Sequence, residues 1–271
     1  MKNRIAICFI YFIIVSSGYA NTRYEKADEQ SLDHAFTLLL NISEAPKYAE
    51  RQELKSTYKN YVNDLKEKQQ RWSNDHKTLR HVFYKTHKKF LKNYKPYQSF
   101  QDLFSTGTYG CLTGTALYAF LLDELGYEYE IIETNYHMFL LVKTSKKKYL
   151  MESTDPSYGF VHDAKDINER INEAVMLNKQ ESRSFSFDYD IHKSITHVEL
   201  IALQYYNMAV DYYNQGNLEM VLYCLNESSR INPSVRISEF VEVLKKSIED
   251  ETALRLALLH FDELSVYVAA N

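Results

Sequence analysis

The chain has 271 residues, of which 45% are hydrophobic and 25% are charged, and its mean hydropathy is −0.43. These values are typical of a globular protein and exclude collagen-like, disordered and polytopic membrane proteins. The formal net charge of −4 argues against a protein that neutralises nucleic-acid phosphates, so we expect no nucleic-acid partner.

Residues 1–20 have the three-part pattern of a secretory signal peptide. Lys2 and Arg4 precede the apolar run Ile5–Val15, and small residues then lead to Ala20. We expect cleavage after Ala20, export to the periplasm or medium, and no integral membrane domain in the mature chain. The alternative is an uncleaved anchor, but the run of 11 apolar residues is shorter than the roughly 20 that span a bilayer.

Residues 21–95 form a charged region with apolar residues at helical spacing. This pattern predicts three helices. The first ends before Pro46, the second runs to Trp72, and the third begins at a cap formed by Ser73 or Asp75. We interpret the lysine-rich face of the third helix as a solvated face rather than a binding site for an anionic partner.

Residues 96–192 have an α+β pattern. After a loop-like stretch, the mostly apolar segment CLTGTALYAFLLDELG predicts a buried central helix, with Cys111 in its first turn and Gly126 as its C-terminal stop. Three strand-like segments follow, and a turn near Lys146 joins the last two. One helix followed by an antiparallel meander is typical of an α+β fold with the helix packed on the sheet.

Residues 193–271 return to a helical pattern that resembles a tetratricopeptide repeat. Seven residues match the spacing of that repeat, namely Tyr205, Met208, Ala209, Tyr212, Gly216, Leu225 and Pro233. Val221 and Ser228 depart from it, because the repeat usually has alanine at both positions. A single repeat does not bury its own apolar face, so we expect these helices to dock on another part of the chain or on a partner.

The sequence contains three cysteines, and Cys8 lies within the predicted signal peptide. Cys224 lies in the predicted repeat, where we expect a buried thiol without chemistry. Cys111 lies in the first turn of the central helix, where unpaired amides and the helix dipole lower a thiol's pKa from about 8.5 and favour a nucleophilic thiolate. A structural cysteine is the alternative. A further hypothesis is a disulfide between Cys111 and Cys224 that switches activity off.

A histidine and an aspartate flank the predicted hairpin. If the hairpin folds about Lys146, His137 lies directly opposite Asp155 with the Cβ atoms about 5 Å apart. A shift of one residue would instead place Thr154 opposite His137 and turn Asp155 to the other face of the sheet. In the first register, Asp155 can hold one nitrogen of the His137 imidazole while the other ring nitrogen faces Cys111. The alternatives are a half-buried strand histidine and a turn-forming aspartate.

The segments TYGCLTGTALYAFLLDELGYEYEIIET, YHMFLLVKT and YLMESTDP resemble the core of the transglutaminase-like superfamily. These papain-related enzymes set a cysteine that starts a helix against a strand-borne histidine and a following aspartate, and a bacterial branch adds C-terminal tetratricopeptide repeats. The resemblance implies that Cys111 is the nucleophile, His137 the general base and acid, and Asp155 the orienting carboxylate. It also implies an oxyanion hole in which the Cys111 amide is one donor, and the second donor stays open between Gln101, Tyr109 and another group.

The chemistry that this resemblance implies is attack on an amide or ester carbonyl to form a thioester, which water or an amine then resolves. We therefore expect an exported cysteine peptidase, amidase or acyltransferase that acts on a protein or peptide without a cofactor. The histidine spacing contains no zinc-binding motif, so we expect no metal either. The alternative is a non-catalytic interaction scaffold, because the superfamily includes members that only bind. The substrate, the acyl acceptor and the oligomeric state stay open.

Overall fold

The computed structural model describes residues 29–42, 48–135, 137–181 and 192–247. The predicted signal peptide and its cleavage point near Ala20 lie outside these residues. No helix within the described ranges combines the length and the apolar character that crossing a membrane requires.

Nine helices and seven strands are present in the described part of the chain. The helices are α1 (Glu29–Asn41), α2 (Tyr48–Trp72), α3 (Asp75–Phe90), α4 (Asp102–Ser105), α5 (Cys111–Glu124), α6 (Ala164–Glu181), α7 (His197–Asn214), α8 (Leu218–Ile231) and α9 (Val235–Ser247). The strands are β1 (Asn93–Tyr94), β2 (Thr108–Tyr109), β3 (Glu128–Thr134), β4 (Met138–Lys143), β5 (Lys148–Met151), β6 (Phe160–Val161) and β7 (His192–Ile195).

The N-terminal cap of α3 is one residue away from both predicted positions. Asn74 is the cap of α3, because its backbone is extended and its side chain accepts a hydrogen bond from the Lys77 amide. Ser73 has a φ of 45°, which is incompatible with the extended cap conformation, and Asp75 is already the first helical residue. The prediction of a cap at Ser73 or Asp75 is therefore wrong.

The main sheet has five strands in the order β6-β5-β4-β3-β7, and all neighbouring strands are antiparallel. Strands β1 and β2 form a separate parallel pair. Helix α5 packs on β3 and β4, and it begins at Cys111 and ends before Gly126, as predicted for the central helix. Gly126 follows this helix with a φ of 74°, the left-handed conformation that favours glycine after a helix end. The mixture of helices and an antiparallel sheet is that of an α+β protein.

The register of the β4–β5 hairpin differs by one residue from the register that favoured a His137–Asp155 pair. Val142 lies opposite Tyr149, and the Thr144 amide donates to the Lys147 carbonyl at 3.1 Å. The loop therefore has two residues rather than a single residue at its centre. Continued beyond β5, this register places Thr154, not Asp155, opposite His137.

The sheet is covered on both faces. One cluster of buried apolar side chains extends from α1 to α9 and includes Leu39, Phe83, Leu117, Leu225 and Leu244. The predicted regions 21–95, 96–192 and 193–271 therefore share one core. A smaller cluster on the opposite face joins the sheet to α6 and contains Ile132, Phe139, Leu150 and Ile167. The sequence did not predict α6.

Candidate active site

Cys111 is the first residue of α5, and it is partly buried. The helix entry is fixed because the Gly110 amide donates to Thr113 Oγ1 at 2.9 Å. The Cys111 carbonyl accepts a hydrogen bond from Ser153 Oγ at 3.3 Å, which links the start of the helix to the segment after β5. This close approach requires glycine at position 114, because a Cβ there would lie 2.8 Å from the Ser153 side chain.

The structure reverses the predicted direction of the Cys111 pKa shift. Burial raises the pKa of the Cys111 thiol, and this effect outweighs the nearby amides of Leu112 and Cys111 and the positive charge of Arg236, which all lower it. The predicted helix-terminus effect is present but is the smaller one. The thiol is therefore protonated at neutral pH, so nucleophilic attack requires a base.

His137 immediately precedes β4, and its backbone is held by Thr134. The His137 amide donates to Thr134 Oγ1 at 3.0 Å, and the Thr134 amide donates to the His137 carbonyl at 2.9 Å. In the side chain, Nε2 lies 2.8 Å from Glu152 Oε1, and 27% of the side chain is exposed. The imidazole is therefore fixed at one nitrogen by a carboxylate while the ring stays accessible.

Glu152 follows β5 and is the carboxylate that contacts His137. It also accepts a hydrogen bond from Thr154 Oγ1 at 3.0 Å and lies 3.6 Å from Arg170 on α6. Burial raises the pKa of Glu152, but the contacts with His137, Thr154 and Arg170 outweigh burial and hold it below its ordinary value. Glu152 is therefore ionised at neutral pH.

Asp155 has no hydrogen bond to His137. Its carboxylate accepts hydrogen bonds from the backbone amides of Ser157 and Tyr158, at 3.2 and 2.8 Å, and from Arg170 Nη2 at 2.8 Å. Burial raises the pKa of Asp155, but these three contacts lower it further than burial raises it. The predicted opposite placement of His137 and Asp155 is wrong, because the two-residue hairpin loop shifts the register. Arg170 connects Asp155 indirectly to the carboxylate of Glu152.

Cys111 and His137 line a common small cavity of about 80 Å³. It shares part of its lining with a larger cleft of about 650 Å³ beside Cys111. No hydrogen bond joins the Cys111 thiol to the imidazole in the described residues. The C-terminal helices form one wall of the cleft through Tyr206, Asn207, Val210, Tyr213, Arg236 and Phe240.

The structure places both predicted candidates for the second oxyanion donor outside the lining of this cleft. Gln101 directly precedes α4, and Tyr109 is buried in β2. Gln98 and Asn135 do line the cleft, and their side-chain amides are hydrogen-bond donors. Neither residue could be identified from the sequence, because neither belongs to the segments that carry the superfamily resemblance and their approach to Cys111 depends on the tertiary fold.

Cys224 differs from Cys111 in having no access to a cleft. It is fully buried in α8, and burial raises its pKa to about 12. Both cysteines are free thiols, so the structure contains no disulfide between them. Within the described ranges, no group of three or more histidine, cysteine, aspartate or glutamate residues is arranged to hold a metal ion.

Comparisons with protein-family models, with curated proteins and with solved structures find no match for this chain. The class of protein is therefore defined by its own geometry. It is an α+β protein in which a helix-starting cysteine and a carboxylate-bound histidine line one cavity.

Proposed function

We propose that the protein is an exported thiol enzyme of the transglutaminase-like type, in which Cys111 attacks an amide or ester carbonyl. The observation that carries this proposal is the 2.8 Å contact between His137 Nε2 and Glu152 Oε1, at a cavity that Cys111 also lines. A carboxylate at Nε2 sets the tautomer that leaves Nδ1 as the base. The papain-like arrangement of α5 on the sheet and the tetratricopeptide-like α7 and α8 belong to the same proposal.

The proposed reaction begins with the neutral Cys111 thiol. His137 takes the proton from Sγ as sulfur bonds to the carbonyl carbon, and the carbonyl electron pair moves onto oxygen. The ionised carboxylate of Glu152 stabilises the imidazolium. When the tetrahedral intermediate collapses, its bond to the leaving amine or alcohol breaks, and His137 returns the proton to that group. Water or an amine then gives a proton to His137 and attacks the thioester carbon, the carbon–sulfur bond breaks, and His137 returns the proton to the Cys111 sulfur.

The first turn of α5 supplies part of the oxyanion hole in this proposal. The amides of Cys111 and Leu112 lie close enough to the sulfur to lower the pKa of the thiol. Unpaired amides at a helix start favour a developing negative charge. Catalytic hydrogen bonds are often long when no substrate is bound. This accounts for a thiol and an imidazole that line one cavity without a hydrogen bond between them.

In this proposal Glu152 takes the orienting role that the resemblance implied for Asp155. Asp155 contributes by holding Arg170, which contacts both carboxylates. The exported location and the preference for a protein or peptide substrate are parts of the proposal that rest on the sequence.

The second candidate function is a non-catalytic interaction scaffold. Two observations favour it: burial raises the pKa of Cys111, and the thiol has no hydrogen bond to His137 among the residues that the structure describes. In that case α7, α8 and α9 would serve to bind another protein.

The rate of iodoacetamide alkylation at Cys111, measured against pH by peptide mass spectrometry, separates the two candidates. The full chain is compared with the His137→Ala variant, and the buried Cys224 serves as an internal control. An enzyme requires alkylation at neutral pH that is faster at Cys111 than at Cys224 and is lost with His137. Slow alkylation that is unaffected by His137→Ala would leave the scaffold function.

A further inference from the structure

Arg236 connects α9 to the segment that precedes His137. Its guanidinium makes three hydrogen bonds: Nη2 donates to the Thr134 carbonyl at 2.7 Å, Nη1 to the Asn135 carbonyl at 2.8 Å and Nε to Glu133 Oε1 at 3.0 Å. All three acceptors lie at the end of β3 or directly after it. The planar guanidinium is suited to several directional hydrogen bonds at once.

Thr134 connects Arg236 to the proposed base, His137, through hydrogen bonds to both residues. Its carbonyl accepts from Arg236, while its amide and hydroxyl hold the backbone of His137. Only one residue therefore lies between the guanidinium and the base in this network. Because a buried backbone carbonyl needs a donor, losing Arg236 would remove a hydrogen-bond donor from the carbonyls of Thr134 and Asn135.

The ion pair beneath this segment is also buried. Only 3% of Glu133 is exposed, and its carboxylate lies 3.0 Å from Arg236 and 3.6 Å from Lys193. A buried carboxylate requires such a partner. Arg236 also lines both the small cavity and the larger cleft together with Cys111. The same side chain thus contacts the support of His137 and borders the space beside the thiol.

We propose that Arg236 is a positioning residue, which fixes the segment before His137 to α9 and so sets the imidazole against Cys111. The catalytic consequence rests on the thiol-enzyme function proposed above, whereas the positioning itself does not. In this arrangement α9 belongs to the active site rather than to a separate binding module.

The test compares Arg236→Lys with Arg230→Lys. Lysine keeps the positive charge at position 236, but its single ammonium nitrogen cannot reproduce the planar guanidinium, in which three separate nitrogens reach three different acceptors. Arg230 is a matched control in α8, because it is an exposed arginine whose ion pair, among the residues that the structure describes, is with Glu227 in the same helix. Two quantities are measured in the full chain: hydrogen exchange of peptides that contain Thr134 and His137, and iodoacetamide alkylation at Cys111 against pH.

We expect Arg236→Lys to accelerate exchange at the amides of Thr134 and His137. We also expect it to lower the His137-dependent part of the alkylation rate by about tenfold or more, because small misplacements of a base are costly. Arg230→Lys should change neither quantity. If Arg236→Lys lowers the Tm but keeps the alkylation rate and its pH profile, Arg236 is only structural and the positioning proposal is overturned.

Two further comparisons keep the result interpretable. If Arg236→Lys fails to fold, the double variant Glu133→Gln and Arg236→Gln removes the buried charge along with its partner and is measured in the same way. If the alkylation rate at Cys111 in the parent protein does not depend on His137, the proposed enzyme function fails. Accelerated exchange in the variant would still support the positioning, and unchanged exchange would overturn it.

Discussion

His137 and His87 are histidines in two contrasting environments, one beside a cavity and the other in the core. His137 lies at the end of the sheet, partly exposed, with one ring nitrogen on Glu152 and a cavity beside it. His87 lies in the last turn of α3 among aromatic rings, 7% exposed, and neither ring nitrogen has a hydrogen-bond partner. A carboxylate and access to a cavity distinguish the candidate base from a histidine of the core.

The largest expected effect follows from removing the proposed base. His137→Ala should lower alkylation at Cys111 at neutral pH by on the order of 10³, because general-base assistance contributes roughly 10²–10⁴. The His87→Phe variant is the matched control, since it replaces a buried histidine that does not line the cavity shared by Cys111 and His137. Equal rates of iodoacetamide labelling at Cys111 in the two variants would show that His137 has no role that His87 lacks.

The second effect concerns stability and belongs to His87. Burial lowers its pKa to about 4, despite the opposing effects of the Leu91 backbone contact and the Asp155 charge. Between the usual value of about 6.5 and pH 4, the unfolded chain binds more protons at this residue than the folded chain does. The free energy of unfolding should therefore fall as the pH falls through this window, by roughly 3 kcal/mol for His87 alone.

This second effect is measured by urea unfolding at pH 7 and at pH 4.5. The His87→Phe variant should lose less stability over that interval than the parent, because phenylalanine suits the aromatic cluster and does not titrate. A parallel decline in both proteins would show that His87 is not the buried neutral group that the structure describes.

The third effect tests which carboxylate orients His137. Glu152→Gln keeps a hydrogen-bond acceptor but loses the charge that stabilises the imidazolium, so alkylation at Cys111 should fall by on the order of 100-fold or less. Asp155→Asn should cause a smaller fall, because Asp155 acts through Arg170. The reverse ranking, from labelling rates at pH 7, would restore Asp155 as the orienting residue.

The smallest expected effect is the loss of stability when either cysteine is replaced by serine. Cys224→Ser should lower the free energy of unfolding by about 2 kcal/mol, because it places a hydroxyl in a fully buried site. Cys111→Ser should cost less, because Cys111 is only partly buried. Chemical denaturation of both variants checks this order, and a more stable Cys224→Ser protein would contradict it.

Much of the local structure around the site could be predicted from the sequence. The bounds of α5 follow from an apolar run between Gly110 and Gly126, and the meander follows from three strand-like segments with a clear turn. These signals are local, so a single sequence carries them. The choice between the two hairpin registers stayed open, because a change of one residue in the pairing exchanges the two faces of a strand, and Ser145 and Lys146 allow either form.

The supporting residues of the site could not be predicted for a different reason. Arg170 and Arg236 act at a distance in sequence, and nothing near them indicates which backbone or carboxylate they meet. The direction of the Cys111 pKa shift was missed because burial depends on the whole tertiary structure, whereas the helix-terminus effect is local. The sequence thus indicated the proposed reacting groups better than the groups that hold them.

The separation between Arg236 and its acceptors has a consequence for how the protein is made. The three hydrogen bonds join residues 101, 102 and 103 positions apart. A chain that emerges N-terminus first exposes Cys111 and the segment before His137 long before it delivers the guanidinium. Contacts between residues so far apart in sequence are slow to form, because the entropy of closing a long loop opposes them. In a nascent or truncated chain, the segment before His137 would therefore lack its guanidinium support until α9 has docked.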